Sequence, residues 1–223
     1  MEKNIYCIVG KSGSGKSYYM NAISSDTKFM KKANLAPLVY GTTRDKRVNE
    51  VDGVDYNFIT EEEYKAIPSS KLIESRSYNT ITGKKYYFTK SDYIENAKAN
   101  LICTASLYQY EYYRSWINLK NLTASKSTVN EPIYNLHLII IETELRNRLE
   151  RILQNRCNTE TDIYEACRRI VEERAEFTSV EERVPEFKDP FTYKQVIIID
   201  NNDISEINTV ANLEKIKKFI LKE

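Results

Sequence analysis

The stretch Ile5-Tyr6-Cys7-Ile8-Val9, followed by Gly10-Lys11-Ser12-Gly13-Ser14-Gly15-Lys16-Ser17, decides the fold. The first five residues are apolar and β-favouring, the kind of run that sits buried in a parallel sheet. The next eight form a glycine loop, and a helix is expected from Tyr18 to Ile23. Strand, loop and helix stand in the order of the phosphate-binding P-loop. Glycine permits close approach of the backbone, so the loop amides can turn inward on phosphate oxygens at the positive end of the following helix. Lys16 then offers a mobile positive charge to the outer phosphates, and Ser17 a hydroxyl ligand for Mg2+. The residues Gly10, Lys11, Ser12, Gly13, Ser14, Gly15, Lys16 and Ser17 are therefore expected to bind a nucleoside triphosphate. The loop alone does not distinguish an ATPase, a GTPase or a small-molecule kinase.

The composition fits one α/β domain. The chain has 223 residues, 41% hydrophobic and 29% charged, with 33 Lys+Arg against 32 Asp+Glu. A net charge of +1 argues against a surface that binds nucleic acid by bulk charge. The four cysteines, at 7, 103, 157 and 167, form no CxxC pair, and with one histidine in the chain a zinc site is not expected. Cys7 reads as a small core hydrophobe. Met1 to Gly10 holds no signal-like stretch, and no segment approaches the roughly 20 apolar residues of a membrane span. A cytoplasmic location is expected, with no membrane partner. Monomer and homodimer are equally compatible with the sequence.

A second phosphate site is suggested by residues 41–60, GTTRDKRVNEVDGVDYNFIT. Arg44 and Arg47, beside Tyr56, offer two planar guanidinium forks that match phosphate geometry. Two arginines alone read equally well as surface ion pairs. Further on, Leu145, Leu149, Ile152 and Leu153 recur at helical spacing, and a second helix is expected over 161–177. Strands are expected at 136–141 and 196–199, and a terminal helix at 213–221.

The pattern TTRxxRxxExxGxxYxF, carried by Thr42, Thr43, Arg44, Arg47, Glu50, Gly53, Tyr56 and Phe58, resembles the nucleotide-binding signature of the guanylate kinase family. The loop string GxSGxGKS, the Leu72-Ile73-Glu74 segment and GKKYYFT at 83–89 are similar to further family motifs, in the right order. This resemblance implies a P-loop nucleoside triphosphate hydrolase fold, α/β with a parallel sheet core, an inserted nucleotide-monophosphate-binding region and a lid. The implied regions are core 1–40, 96–143 and 190–223, a GMP-binding region 41–95 and a lid 144–189. The implied reaction is ATP-dependent phosphorylation of GMP or dGMP with Mg2+. By the same resemblance, Glu74 reads the guanine edge. Arg44, Arg47, Tyr56, Tyr87 and Thr89 hold the acceptor phosphate, and Arg156 and Arg169 are lid arginines that close over the triphosphate. Because the lid spacing is longer than the family's, Arg151 in place of Arg156 and Arg168 in place of Arg169 stay open, with Arg148 as an assistant. Asn201, or Asn202 one register on, is implied beside the adenine.

Three departures stand out. Gly41 replaces a hydroxyl residue that commonly meets guanine O6. Cys103 and Ala105 stand where carboxylates are expected. Residues 107–135 are longer than the usual connection and rich in aromatics, including Tyr108, Tyr110, Tyr112, Tyr113 and Trp116, which read mostly as packing. These keep two other readings in play: a kinase for another (deoxy)nucleoside monophosphate, or a catalytically weak guanylate-kinase-like module that binds a protein. A regulatory GTPase is disfavoured, since no NKxD-type guanine motif is present.

Overall fold

Alternation along the first strand sets the architecture. In β1 (Glu2–Val9), Ile5, Cys7 and Val9 face one side and Tyr6 and Ile8 the other, and all five are buried. A strand buried on both faces needs helices on both, as a parallel α/β sheet provides. The structure, a computed structural model, describes residues 2–80, 83–125, 131–181 and 196–222.

The remaining strands of the central sheet are β2 (Leu35–Pro37), β7 (Asn100–Ala105), β8 (Ile133–Glu142) and β9 (Val196–Asp200). Their order is β2-β7-β1-β8-β9, all parallel. On one face, Tyr110, Tyr113 and Ile117 of α5 (Leu107–Ala124) pack on Ile5, Cys7, Val9, Leu101 and Leu138. On the other, Tyr19 and Ile23 of α1 (Lys16–Ser25), and Ile216 and Ile220 of α8 (Glu206–Leu221), cover Tyr6, Ile8, Ile102, Ile139 and Ile199. Ile5, Ile8, Ile102 and Ile139 are at most 1% exposed, and each contributes about 1.5–3 kcal/mol relative to exposure. His137, on β8, stacks on Tyr6 at 4.4 Å and bonds Asn4 Oδ1 at 2.9 Å. Burial holds it neutral, its pKa brought down to about 4.

A second sheet is built from β3 (Gly41–Thr42), β4 (Asn57–Phe58), β5 (Leu72–Thr80) and β6 (Gly83–Lys90), in the order β4-β3-β6-β5. Its β5–β6 hairpin has two chemically different faces. Ser75, Tyr86 and Phe88 meet Tyr64 of α3 (Glu61–Lys65). Glu74, Arg76, Tyr87 and Thr89 occupy the other face, with Glu74 opposite Thr89 and Arg76 opposite Tyr87.

The short helices α2 (Thr27–Lys32) and α4 (Ser91–Glu95) lead into β2 and β7. Beyond β8 come α6 (Leu145–Arg156) and α7 (Glu160–Glu181). Most of the stretch expected as an aromatic insertion is helix α5. Its start is set by a capping box in which the Ser106 hydroxyl accepts from Gln109 N–H and the Gln109 amide oxygen accepts from Ser106 N–H. Tyr110 and Tyr113 are core, whereas Tyr108 and Tyr112 are 54% and 55% exposed. Among the described residues, no helix is long and apolar enough to cross a membrane.

Candidate functional site

The glycine loop follows β1 and ends at α1. Gly13 and Gly15 hold φ of 78° and 104°, a left-handed region costly for residues bearing a Cβ. Space is short too: a Cβ on Gly15 would lie 2.6 Å from Asn201 Nδ2. The loop is braced from below by side chains. Asn201 donates through Nδ2 to Ser14 O at 2.7 Å and accepts the Tyr19 hydroxyl at 2.8 Å. Thr143 Oγ1 donates to Ser14 O at 3.2 Å, and Arg148 Nη1 to Ser12 O at 3.1 Å. Asn201 thus supports the loop with both ends of its amide, a bracing role beside the expected place near the adenine. Asn202 is likewise engaged, accepting from Glu144 N at 2.7 Å and donating to Asp200 Oδ1 at 2.9 Å.

Lys16 turns its ammonium back onto the carbonyls of Gly10 and Lys11. Ser17 is exposed in the first turn of α1. The Ser12 amide donates to the Glu173 carboxylate of α7, at 2.8 and 2.9 Å, so the loop already holds an anion. Arg148 stands 3.6 Å from the same carboxylate. From α6, Arg148 and Arg151 reach the loop region, Arg151 donating through Nη2 to Asn201 O. Arg168 instead pairs with Glu165 at 2.7 Å. The side chains of Arg156 and Arg169 lie outside the described residues, as do residues 182–189 of the expected lid.

The arginine cluster lies on the second sheet and the loop after β3. Arg44 forms a two-pronged pair with Glu50, its Nη1 at 2.6 Å from Oε2, and the Arg47 amide donates to the same carboxylate at 2.9 Å. The Arg44 guanidinium and the Arg47 amide hold the Glu50 carboxyl down to about 2, and Glu50 raises Arg44 in turn. The Arg44 guanidinium lies 5.0 Å from the Tyr56 ring centre, and Tyr56 meets Tyr87 edge-on at 5.9 Å. Arg44, Tyr56 and Tyr87 are therefore brought together. Arg47 stands at the exposed margin. Thr89, expected with these phosphate ligands, belongs to a different group.

That group surrounds Glu74, which is 5% exposed. Thr89 Oγ1 donates to Glu74 Oε1 at 2.8 Å, and Gln109 Nε2 donates to the same oxygen at 3.1 Å. Thr89 has a single hydroxyl proton, so the Tyr113 hydroxyl, 2.8 Å away, is the donor in their contact. The capping box fixes which end of the Gln109 amide points at Glu74, because its oxygen is taken by Ser106 N at 3.0 Å. Glu74 Oε2 is buried and has no hydrogen-bond partner among the described residues. Arg76 Nε stands 3.7 Å from it, and Arg76 Nη1 donates to Ser106 Oγ at 3.2 Å.

Two of the expected departures take on a physical form here. A Cβ on Gly41 would lie 2.3 Å from the Phe88 ring, so that ring fills the space of a side chain at 41. Cys103 and Ala105 point into the core, with Cys103 Sγ 3.7 Å from Cys7 Sγ. Carboxylates at those positions would be buried in apolar packing. The polar group at the end of β7 is Ser106. Sequence reasoning missed Ser106, Gln109, Arg76 and Glu173. Of these, only the S-x-x-Q spacing of the capping box was a readable signal.

A family model described as guanylate kinase matches residues 2–100. A guanylate kinase of Mycoplasma mobile is 30% identical over 168 residues, which is 71% of this chain and 73% of the relative. Those of Bacillus subtilis and Oceanobacillus iheyensis are 42% and 36% identical over 89 and 101 residues. These two matches span less than half of each relative's length, 39% and 45%. A crystal structure of guanylate kinase from Anaplasma phagocytophilum is similar over 99% of the chain, at 16% identity and a TM-score of 0.49, too slight a likeness to add weight. The chain belongs to the guanylate kinase family.

Proposed function

We propose that the chain is a guanylate kinase, moving the γ-phosphoryl group of ATP to GMP or dGMP. The observation that carries this reading is the arrangement on one face of the β5–β6 hairpin. A buried carboxylate with one oxygen that accepts no hydrogen bond among the described residues, Glu74, lies one row of residues from Tyr87, which joins Tyr56 and Arg44. Successive same-face rows are about 7 Å apart, a separation suited to a nucleoside monophosphate with its base at one end and its phosphate at the other. In this reading residues 41–95 receive the acceptor, the central sheet is the core, and 144–189 form the lid.

Each group has a role. Glu74 accepts from guanine N1–H and N2–H, since an ionised carboxylate only accepts. Arg44, Arg47, Tyr56 and Tyr87 fix the acceptor phosphate, with Thr89 steadying Glu74. The loop amides and Lys16 hold the triphosphate, where the Glu173 carboxylate stands in for a phosphate oxygen. Lid arginines, Arg156 and Arg169 or their neighbours Arg151 and Arg168, neutralise charge on the transferring group and exclude water. Magnesium would supply positive charge that offsets that of the phosphates. Ser17 would hold it together with the phosphates and water, the way an ion not caged by protein is bound. The exposed Ser17 hydroxyl beside the loop fits that use, and among the described residues there is no cluster of three or more His, Cys, Asp or Glu that would cage it instead.

A second reading, a kinase for another (deoxy)nucleoside monophosphate, draws on the Phe88 ring filling the place beside Gly41. The exposed Tyr108 and Tyr112 are what a protein-binding module would use. ADP release, measured with each monophosphate in turn, separates the three. GMP-dependent turnover is expected, with Lys16→Ala lowering kcat by about 10²–10³-fold. Turnover with only another monophosphate selects the second reading, and no turnover with any, together with no ATP binding, selects the third.

A further inference from the structure

Guanine presents two kinds of group on its Watson–Crick edge: N1–H and N2–H as donors, and O6 as an acceptor. Glu74 can serve only the donors. A site that selects a 6-oxo purine therefore needs a hydrogen-bond donor beside Glu74. Position 41 cannot supply one, because it has no side chain and Phe88 leaves no room for one. Cys103 and Ala105 face the core. The Ser106 hydroxyl accepts from Gln109 N and Arg76 Nη1, which leaves its single proton as the other donor at the end of β7.

We infer that Arg76 is the second base-reading residue, donating to the 6-oxo oxygen of the purine while Glu74 accepts from N1–H and N2–H; this rests on the guanylate kinase reading above. Arg76 stands two residues along β5 from Glu74 and shares its face. Its Nε and Glu74 Oε2 are both buried, and neither has a hydrogen-bond partner among the described residues. At 3.7 Å they form a loose ion pair but are too far apart for a hydrogen bond. A donor and an acceptor left side by side in this way match the N1–H and C6=O of a purine lactam. The Arg76 side chain is 34% exposed and that of Glu74 2%, so a ligand reaches the guanidinium first and the carboxylate at depth. Ser106 Oγ anchors Nη1, which limits the directions the fork can take. An adenine ring would bring an amino group to Arg76 and a bare N1 acceptor to Glu74, a mismatch at both atoms.

The test is equilibrium binding, by titration calorimetry, of GMP, IMP and the monophosphate of 2,6-diaminopurine riboside. This last keeps the 2-amino group and replaces the 6-oxo with an amino group. Arg76→Met keeps the aliphatic stem and loses every donor. It is expected to weaken GMP and IMP alike by about 5- to 150-fold, and to leave the diaminopurine nucleotide within about 2-fold. Arg76→Gln, which retains an N–H, is expected to recover part of the preference. The ratio of the two dissociation constants does not depend on how much variant protein is folded. An unchanged ratio in Arg76→Met overturns the inference, whether both nucleotides weaken or neither does. If wild type turns over GMP and the ratio is unchanged, Arg76 alone is wrongly assigned. If wild type binds GMP without turnover and the ratio collapses, Arg76 stands and the kinase reading falls. If wild type binds no GMP, both fall.

Discussion

The glycine loop and the arginine cluster are two anion sites made of different material. The cluster is side-chain charge on a short segment: Arg44 pairs with Glu50 only six residues away, over the rings of Tyr56 and Phe58. The loop is backbone. Its amides are aimed by buried side chains from distant parts of the chain, above all Asn201, 187 residues from its partner Ser14. The anions they now hold differ in the same way. Glu50 lies in the same loop as Arg44. Glu173 comes from α7, 161 residues from Ser12, and leaves with that helix. One site is screened by a neighbour in sequence and the other by a distant helix. In the proposed reading, Arg44 is oriented by its neighbour in sequence, whereas a nucleotide at the loop would take the place of a carboxylate from a separate element.

Three variants bear on this contrast. The largest effect is expected for Asn201→Leu, which removes the shortest bond to the Ser14 carbonyl and the acceptor of the Tyr19 hydroxyl, leaving only the longer contacts from Thr143 and Asn212. Chemical denaturation should show a loss of about 2–4 kcal/mol, and calorimetry a weakened ATP affinity with GMP affinity retained. An equal loss at both sites would mean that the two are not separately supported. Next, Gln109→Glu keeps the capping box, since Glu serves at that position, but sets a second carboxylate against Glu74. GMP binding should weaken by about 5- to 150-fold, the cost of leaving a buried charged group badly paired. ATP binding should be unchanged; a matching loss there would contradict the separation. The smallest effect is expected for Glu173→Gln. Removing a partly exposed anion from the loop should tighten ATP by about 2- to 5-fold and leave GMP alone. No change in ATP affinity would remove Glu173 as a competitor for the loop.

What the sequence reveals follows the same division. The loop and the Arg44 segment were readable because their chemistry is contiguous, and spacing alone places Gly13, Gly15 and Lys16, or Arg44 beside Arg47. The central sheet was readable from apolar runs that later proved buried on both faces. Glu74 was found by motif, but its setting was not. Gln109 lies 35 residues away, and Thr89 was assigned to the phosphate because nothing in its neighbours says that it hydrogen-bonds a carboxylate across a strand pair. Helix α5 escaped because tyrosines lie on both its faces: Tyr110, Tyr113 and Ile117 stand at helical spacing in the core, but the exposed Tyr108 and Tyr112 hide that stripe from a reading of apolar periodicity. The expectation for Asn201 named a residue at the site and missed its work, since bracing a loop 187 residues away leaves no trace in local spacing.

The Cys7–Cys103 contact has a practical use. Both thiols are buried where β1 meets β7, and Cys103 together with burial pushes the Cys7 thiol well above its ordinary pKa. Thiolate is the reactive form, so this thiol is inert in the native state. Cys157 and Cys167 are not buried and remain open to a reagent. The chain thus carries its own clock: two sulfurs that label at once, and two that label only when the central strands come apart. The rate of the slow pair reports how often the middle of the sheet opens, without any engineered probe.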